Sequence, residues 1–307
     1  MTWEPKLHEI VIDDNIRQQL HDTGFVVHGN IGAANIEKLL KLYEGLHHFN
    51  APQGGMFYSL YSDDIDYRRK VHNEIGELLK PVYDRYFENY KSVINSFIVK
   101  IPGPQSEFTL HQDSSGLDEL KYSPLSLWIP LQDTTLENGA LCVVPKTHGY
   151  FYPYRGISFT APFKDFEDLM RSYLLPIDLK AGDILMFDNR LVHYSHLNET
   201  NLPRIVVMSG LFPARADIEV SYRDESLTGS QIEIYRQTED FLITNTAFYN
   251  NCTARPSRGE KVREVPPLQK KSISDFVNFA AQNGIKQTNI DCLVNIKNSL
   301  NILSEPV

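Results

Sequence analysis

Through residue 90 the apolar positions recur every three to four residues, the spacing that gathers them on one face of a helix. Asp13-Asp14 can cap a short helix running to His21, which Gly24 closes. Ile36, Leu39, Leu40, Tyr43 and Leu46 predict a second helix over 33–46, ended by Gln53-Gly54-Gly55. Ile75, Leu78, Leu79, Val82, Tyr83 and Phe87 predict a third within 65–90, which Pro81 should bend or interrupt. Phe25-Val26-Val27-His28, after the first helix, reads as a strand.

From Val93 the pattern shortens to runs bounded by turn residues. It predicts strands over 96–101, 107–112, 126–131, 140–144, 177–179, 184–187, 192–196 and 205–212. Gly103-Pro104, Glu137-Asn138-Gly139, Ala181-Gly182-Asp183 and Asn198-Glu199-Thr200-Asn201 are the turns. Many short strands of this kind imply a mainly β protein with flanking helices around a double-stranded β-helix, a jelly-roll, cupin-like core. An aromatic-rich insertion, 150–173, is long enough to cover the mouth of such a core. Beyond Pro213 the signal weakens: 232–246 reads equally as helix or strand, 255–271 as a basic surface loop, and 272–282 and 288–303 as closing helices. The expected organisation is a single domain, 1–307, with a helical part (10–92), a jelly-roll core (93–213) and a C-terminal packing or lid segment (214–307).

Composition narrows the partners. The 307 residues carry a net charge of −9, against a nucleic-acid surface. No run approaches the roughly 18 apolar residues of a membrane span, and the N-terminus shows no signal pattern. Cys142, Cys252 and Cys292 form no CxxC pair, which suits a reducing cytoplasm. A small-molecule partner is expected, and oligomeric state is not legible.

The chemistry gathers at three places. His111 and Asp113 are two apart on a predicted strand, so they share a side. With a distant His they form the two-His, one-carboxylate face of non-haem Fe(II) oxygenases. His193 and His196 are three apart and face opposite sides of their strand; His193 is the chosen third ligand, with Ser195 beside it. Arg204 opens the last strand, and an inward guanidinium there needs an anion: either an internal Asp or Glu, or a bound dicarboxylate gripped by its planar fork. The remaining histidines, His148 among them, read as structural.

His111-Gln112-Asp113, Leu127-Trp128-Ile129-Pro130-Leu131-Gln132-Asp133, Glu137-Asn138-Gly139-Ala140-Leu141, Val144-Pro145-Lys146-Thr147-His148 and Ala181-Gly182-Asp183-Ile184-Leu185-Met186-Phe187-Asp188, followed by His193-Tyr194-Ser195 and Arg204, stand in this order. Over about 10–212 the chain thereby resembles the phytanoyl-CoA dioxygenase family of Fe(II)/2-oxoglutarate-dependent oxygenases. Lys146-Thr147-His148 departs from the family's Gly-Ser-His type turn, in a loop away from the ligands. The resemblance implies iron on His111, Asp113 and His193, the far carboxylate of 2-oxoglutarate on Arg204, and Trp128 and Ser195 lining the cosubstrate pocket. It implies hydroxylation of an unactivated C–H bond by O₂, with succinate and CO₂ released. Asp113 favours hydroxylation, since halogenating relatives carry a small residue there. Tyr58, Tyr61, Tyr152 and Arg155 are the candidate substrate contacts, and an amino acid or natural-product intermediate is the favoured substrate. An acyl-CoA or lipid hydroxylase, and a non-catalytic cupin-like binding protein, are the alternatives.

Overall fold

The computed structural model describes residues 7–46, 55–151, 153–245, 259–267 and 270–288. In chain order its strands are β1 (Phe25–Asn30), β2 (Met56–Tyr58), β3 (Tyr90–Lys100), β4 (Phe108–His111), β5 (Leu125–Pro130), β6 (Leu141–Val144), β7 (Leu175–Pro176), β8 (Asp183–Asp188), β9 (Val192–Ser195), β10 (Arg204–Pro213), β11 (Ile218–Tyr222), β12 (Ile232–Gln237) and β13 (Glu260–Val265). The helices are α1 (Asp14–Thr23), α2 (Ala33–Leu46), α3 (Ile65–Tyr86), α4 (Glu167–Arg171), α5 (Phe241–Thr244) and α6 (Ile273–Gln282).

Strands β1-β8-β5-β10-β3-β2 form one antiparallel sheet and β4-β9-β6-β7 a smaller one. From β3 to β10 the chain changes sheet at every step but β6 to β7, which is the jelly roll expected from the strand spacing. The space between the sheets is filled by Ile98, Trp128, Leu185 and Val206 from the larger and by Leu141 and Val143 from the smaller.

Alternation along β5 shows how one strand serves two layers. Leu125, Leu127 and Ile129 point outward into a cluster with Leu39, Ile75 and Leu79 of the helices, whereas Trp128 points between the sheets. Burial of those leucines and isoleucines fastens the helical layer, at roughly 1.5–3 kcal/mol for each fully buried side chain. α1 starts where the Asp13 carboxylate accepts from the N–H groups of Asn15 (2.8 Å) and Ile16 (3.1 Å). It ends at Gly24, whose φ of 87° is left-handed. A Cβ on Gly24 would lie 2.6 Å from His148 Nδ1, so this turn also requires a residue without a side chain.

Four expectations need correction. α3 runs unbroken through Pro81, because Val71, Ile75, Leu79 and Tyr83 pack on both sides of it and hold the helix in register. The strand expected at 177–179 is instead β7 at Leu175–Pro176, and Leu179 makes only an isolated bridge with Thr134. Part of the basic segment taken for a loop is β13, which completes a sheet ordered β11-β12-β13. Its side chains are largely exposed, so it lacks an apolar alternation; its position comes from backbone pairing and from Arg263 meeting Glu219 at 2.7 Å. The ambiguous stretch 232–246 is both things in turn, strand β12 and then helix α5. β2 and β11 were not expected at all.

The insertion carries α4 and packs Phe151, Phe163, Phe166 and Met170 against Phe276 of α6. The helix expected at 288–303 lies outside the described residues apart from Thr288, as do Tyr152, Cys252 and Cys292. Among the described residues no helix is long and apolar enough to cross a membrane.

Candidate metal centre and active site

β4 and β9 lie side by side in the smaller sheet with His111 opposite His193. Cross-strand partners project to the same face, and the two imidazole centroids are 4.0 Å apart. Asp113 follows two residues after His111, just beyond the strand, and its Oδ1 is 3.8 Å from each Nε2. Ligand atoms of the three residues all lie within 4.8 Å of one another.

The tautomers follow from the main chain. His111 Nδ1 is 2.8 Å from the Thr109 carbonyl and His193 Nδ1 is 2.9 Å from the Leu191 carbonyl. A carbonyl only accepts, so each Nδ1 carries the proton and each Nε2 presents a lone pair. Burial, reinforced by the His193 ring beside it, holds His111 well below the usual imidazole range and keeps it neutral as a ligand must be. Phe108 meets the edge of His111 at 4.3 Å and Phe187 lies 5.2 Å from His193, fixing both rings.

The Asp113 backbone is held at both ends: its N–H donates to Asn189 (3.1 Å) and its carbonyl accepts from Arg155 Nε (2.8 Å). Arg155 had been expected at the substrate. It is buried, and its two terminal nitrogens grip the Glu119 carboxylate at 2.6 and 2.7 Å. Glu119, fully buried, is pushed up by that burial and pulled back by Arg155.

Arg204 opens β10 and points between the sheets. Nη1 donates to the Gly139 carbonyl (2.6 Å), and the guanidinium lies 5.1 Å from the Trp128 ring. Among the described residues no carboxylate pairs with it, and its buried Nε has no hydrogen-bond partner. Burial lowers it to about 10. Opposite it on β3 stands Lys100, fully buried, donating to the carbonyls of Ser195 (2.9 Å) and His196. Burial first, and then Arg204, bring Lys100 down to about 6. Lys100 was missed in the sequence, although a cation inside Phe97-Ile98-Val99-Lys100-Ile101 was the available signal.

A cavity of about 540 Å³ brings His111, Asp113, His193, Ser195, Trp128, Arg204, Tyr58, Tyr61 and Arg155 together. Tyr58 and Tyr61 meet in a tilted arrangement at 4.8 Å and Tyr58 reaches Phe108 at 5.8 Å, forming an aromatic wall. Burial raises both phenols, Tyr61 to about 12.

The model of the family described as phytanoyl-CoA dioxygenase (PhyH) matches residues 20–206, from α1 to the start of β10. The chain belongs to the phytanoyl-CoA dioxygenase family. All three candidate ligands and Arg204 fall inside the stretch that makes it a PhyH member. The "Phytanoyl-CoA dioxygenase domain-containing protein 1 homolog" of Dictyostelium discoideum is 28% identical over 145 residues, 44% of this chain and 49% of that protein. The "Phytanoyl-CoA dioxygenase" of Arabidopsis thaliana is 32% identical over 114 residues, 35% of this chain and 39% of that protein. The PhyH chain thus spans less than half the length of these relatives. Among solved structures, the epimerase SnoN in complex with Fe3+, alpha ketoglutarate and nogalamycin RO is 19% identical, covering 83% of this chain and 95% of its own, with a TM-score of 0.49. HygX from Streptomyces hygroscopicus, with nickel, 2-oxoglutarate and hygromycin B bound, is 17% identical over 66% of this chain and 88% of its own, with a TM-score of 0.45.

Proposed function

We propose that this protein is an Fe(II)- and 2-oxoglutarate-dependent dioxygenase that hydroxylates an unactivated C–H bond of a small molecule. The observation that carries the reading is Arg204, a buried guanidinium with no carboxylate partner among the described residues and an unused Nε. A buried cation in this state is costly unless an anion completes it, and a planar fork suits a carboxylate. It lies in the same cavity as two Nε2 lone pairs and one carboxylate that converge on one point. A metal bound there keeps open positions, unlike a closed structural zinc site.

The residues divide the work. His111, Asp113 and His193 would hold iron, and Arg204 would fix the far carboxylate of 2-oxoglutarate, with Ser195 and Trp128 alongside. Lys100, opposite Arg204 on β3, braces the end of β9 by donating to the carbonyls of Ser195 and His196. Iron with 2-oxoglutarate supplies the activation of O₂, with succinate and CO₂ as co-products. The protein's own contribution is orientation and exclusion of water: Tyr58, Tyr61 and Phe108 wall the metal side, and the insertion covers the mouth. We read residues 7–288 as one domain, supported by the packing of α6 on the insertion, and the setting as cytoplasmic, supported by the free buried Cys142.

The test is anaerobic addition of Fe(II) and 2-oxoglutarate. The weak visible charge-transfer band of the chelate should form, and Arg204→Ala should raise the 2-oxoglutarate concentration needed for it. Absence of the band at saturating cosubstrate would leave a metal-binding jelly roll without this chemistry.

A further inference from the structure

The cavity extends beyond the metal into a chamber that the C-terminal segment closes. Leu60, Ile94 and Phe212 line it on the side of the larger sheet, and Val220, Ile232 and Leu242 on the side of β11, β12 and α5. Every charged side chain lining this chamber is matched by protein. Arg155 is committed to Glu119 at 2.6 Å, Arg223 lies 3.5 Å from Glu225, Lys164 is 2.8 Å from Glu167, and Lys270 is 3.4 Å from Asp165. The last two lysines are exposed at the mouth. Arg204 lies between the sheets beside Trp128, where the cosubstrate is expected.

We infer that the molecule oxidised here is uncharged and largely apolar in the part that enters the chamber, and is neither an amino acid nor an acyl-CoA. The inference rests on the proposed oxygenase reading and departs from the amino acid favoured from the sequence. A zwitterion would bring an ammonium and a carboxylate out of water, at several kcal/mol for each ion, where the charged side chains of the lining already face opposite charges of the protein. A coenzyme A headgroup would bring several phosphate charges to a mouth that also carries the carboxylates of Asp165, Glu167 and Glu225. An apolar body instead gains from covering Leu60, Ile94, Phe212, Val220, Ile232 and Leu242, at about 25 cal/mol for each Å² removed from water. Ser114 and Tyr58, both lining the cavity, offer neutral hydroxyls to orient it. The whole cavity, about 540 Å³ with the cosubstrate's share included, is within the range of small-molecule sites.

The probe is Nile red, a neutral apolar dye, titrated into the full-length protein with and without Fe(II) and 2-oxoglutarate under argon. Its emission should rise and shift to the blue, and a neutral steroid ketone or terpenoid alcohol should displace it while L-amino acids and palmitoyl-CoA do not. Leu242→Glu should weaken dye binding at least tenfold; Leu242→Gln, a milder change, should weaken it severalfold with the melting temperature kept. Absence of dye binding, failure of the neutral compounds to displace it, or displacement by amino acids or palmitoyl-CoA would each overturn the inference. The charge-transfer band, read in the same samples, separates the two ideas: a band without these dye results sinks the substrate class alone, and dye results without a band sink the oxygenase reading and leave only an apolar binding chamber.

Discussion

Arg155 Nε donates to the carbonyl oxygen of Asp113 across 2.8 Å, so a side chain of the insertion holds the backbone of a candidate metal-ligand residue. The main chain of Arg155 is tied to the same loop: its carbonyl accepts from Ser115 N–H (3.1 Å) and Ser115 Oγ (2.7 Å). Replacing Arg155 with Met therefore removes a support of Asp113 without touching the metal. Groups that orient a ligand are typically worth about 10–100-fold in metal affinity, and a loss of this size is expected in a Co(II) titration followed by its visible d–d bands.

Glu119→Gln should act on stability as well as on the site. The change leaves the Arg155 charge buried without its carboxylate, and breaking a buried pair in this way costs about 3–5 kcal/mol. Urea unfolding should show the midpoint falling with little change in slope. A midpoint equal to that of the wild type would mean that the pair does not matter to the fold.

Asp113→Ala and His193→Ala should each abolish iron-dependent succinate formation while circular dichroism stays close to that of the wild type. Arg204→Lys should behave nearly as badly toward 2-oxoglutarate as Arg204→Ala, because an ammonium cannot reproduce the two-pronged grip. Trp128, 5.1 Å from that guanidinium, reports on it: in a Trp3→Phe background it is the only tryptophan, and 2-oxoglutarate should change its fluorescence in the wild-type site and not in Arg204→Ala.

Lys100 gives a pH signature. Burial lowers it from 10.5 to about 6 in the folded protein, so between these values the unfolded chain binds the extra proton and stability rises with pH. The destabilisation is fully present below about pH 6 and is relieved as pH climbs toward the unfolded value. Lys100→Met should flatten this part of the stability profile, measured as melting temperature against pH without cosubstrate. An unchanged slope would show that Lys100 is not the group responsible.

Gly24→Ala tests the first turn. The left-handed φ and the 2.6 Å approach to His148 act in the same direction, and a loss of more than about 1 kcal/mol is expected from thermal or urea melts.

The jelly roll was legible because β5, β8 and β10 are apolar runs between turn residues, and the grouping of the candidate ligands because His-x-Asp places both side chains on one side. Two features were hidden for different reasons. Arg155 was visible as a charge near the mouth, but its partner Glu119 is 36 residues away in sequence, and no local pattern tells a paired cation from a free one. β13 alternates no apolar residues, so only its pairing with β12 makes it a strand. Pro81 misled in the other direction: a local rule for breaking helices gave way to the packing on either side of it.

β13 also determines where its sheet stops. Its pairing with β12 leaves the other edge of the strand unpartnered among the described residues, an arrangement that invites a strand from another molecule. Lys261, Arg263 and Glu264 lie along it, and Pro266-Pro267 follow at once with no N–H to offer. Charge and proline together discourage that pairing, so this edge of the C-terminal sheet is built to resist aggregation.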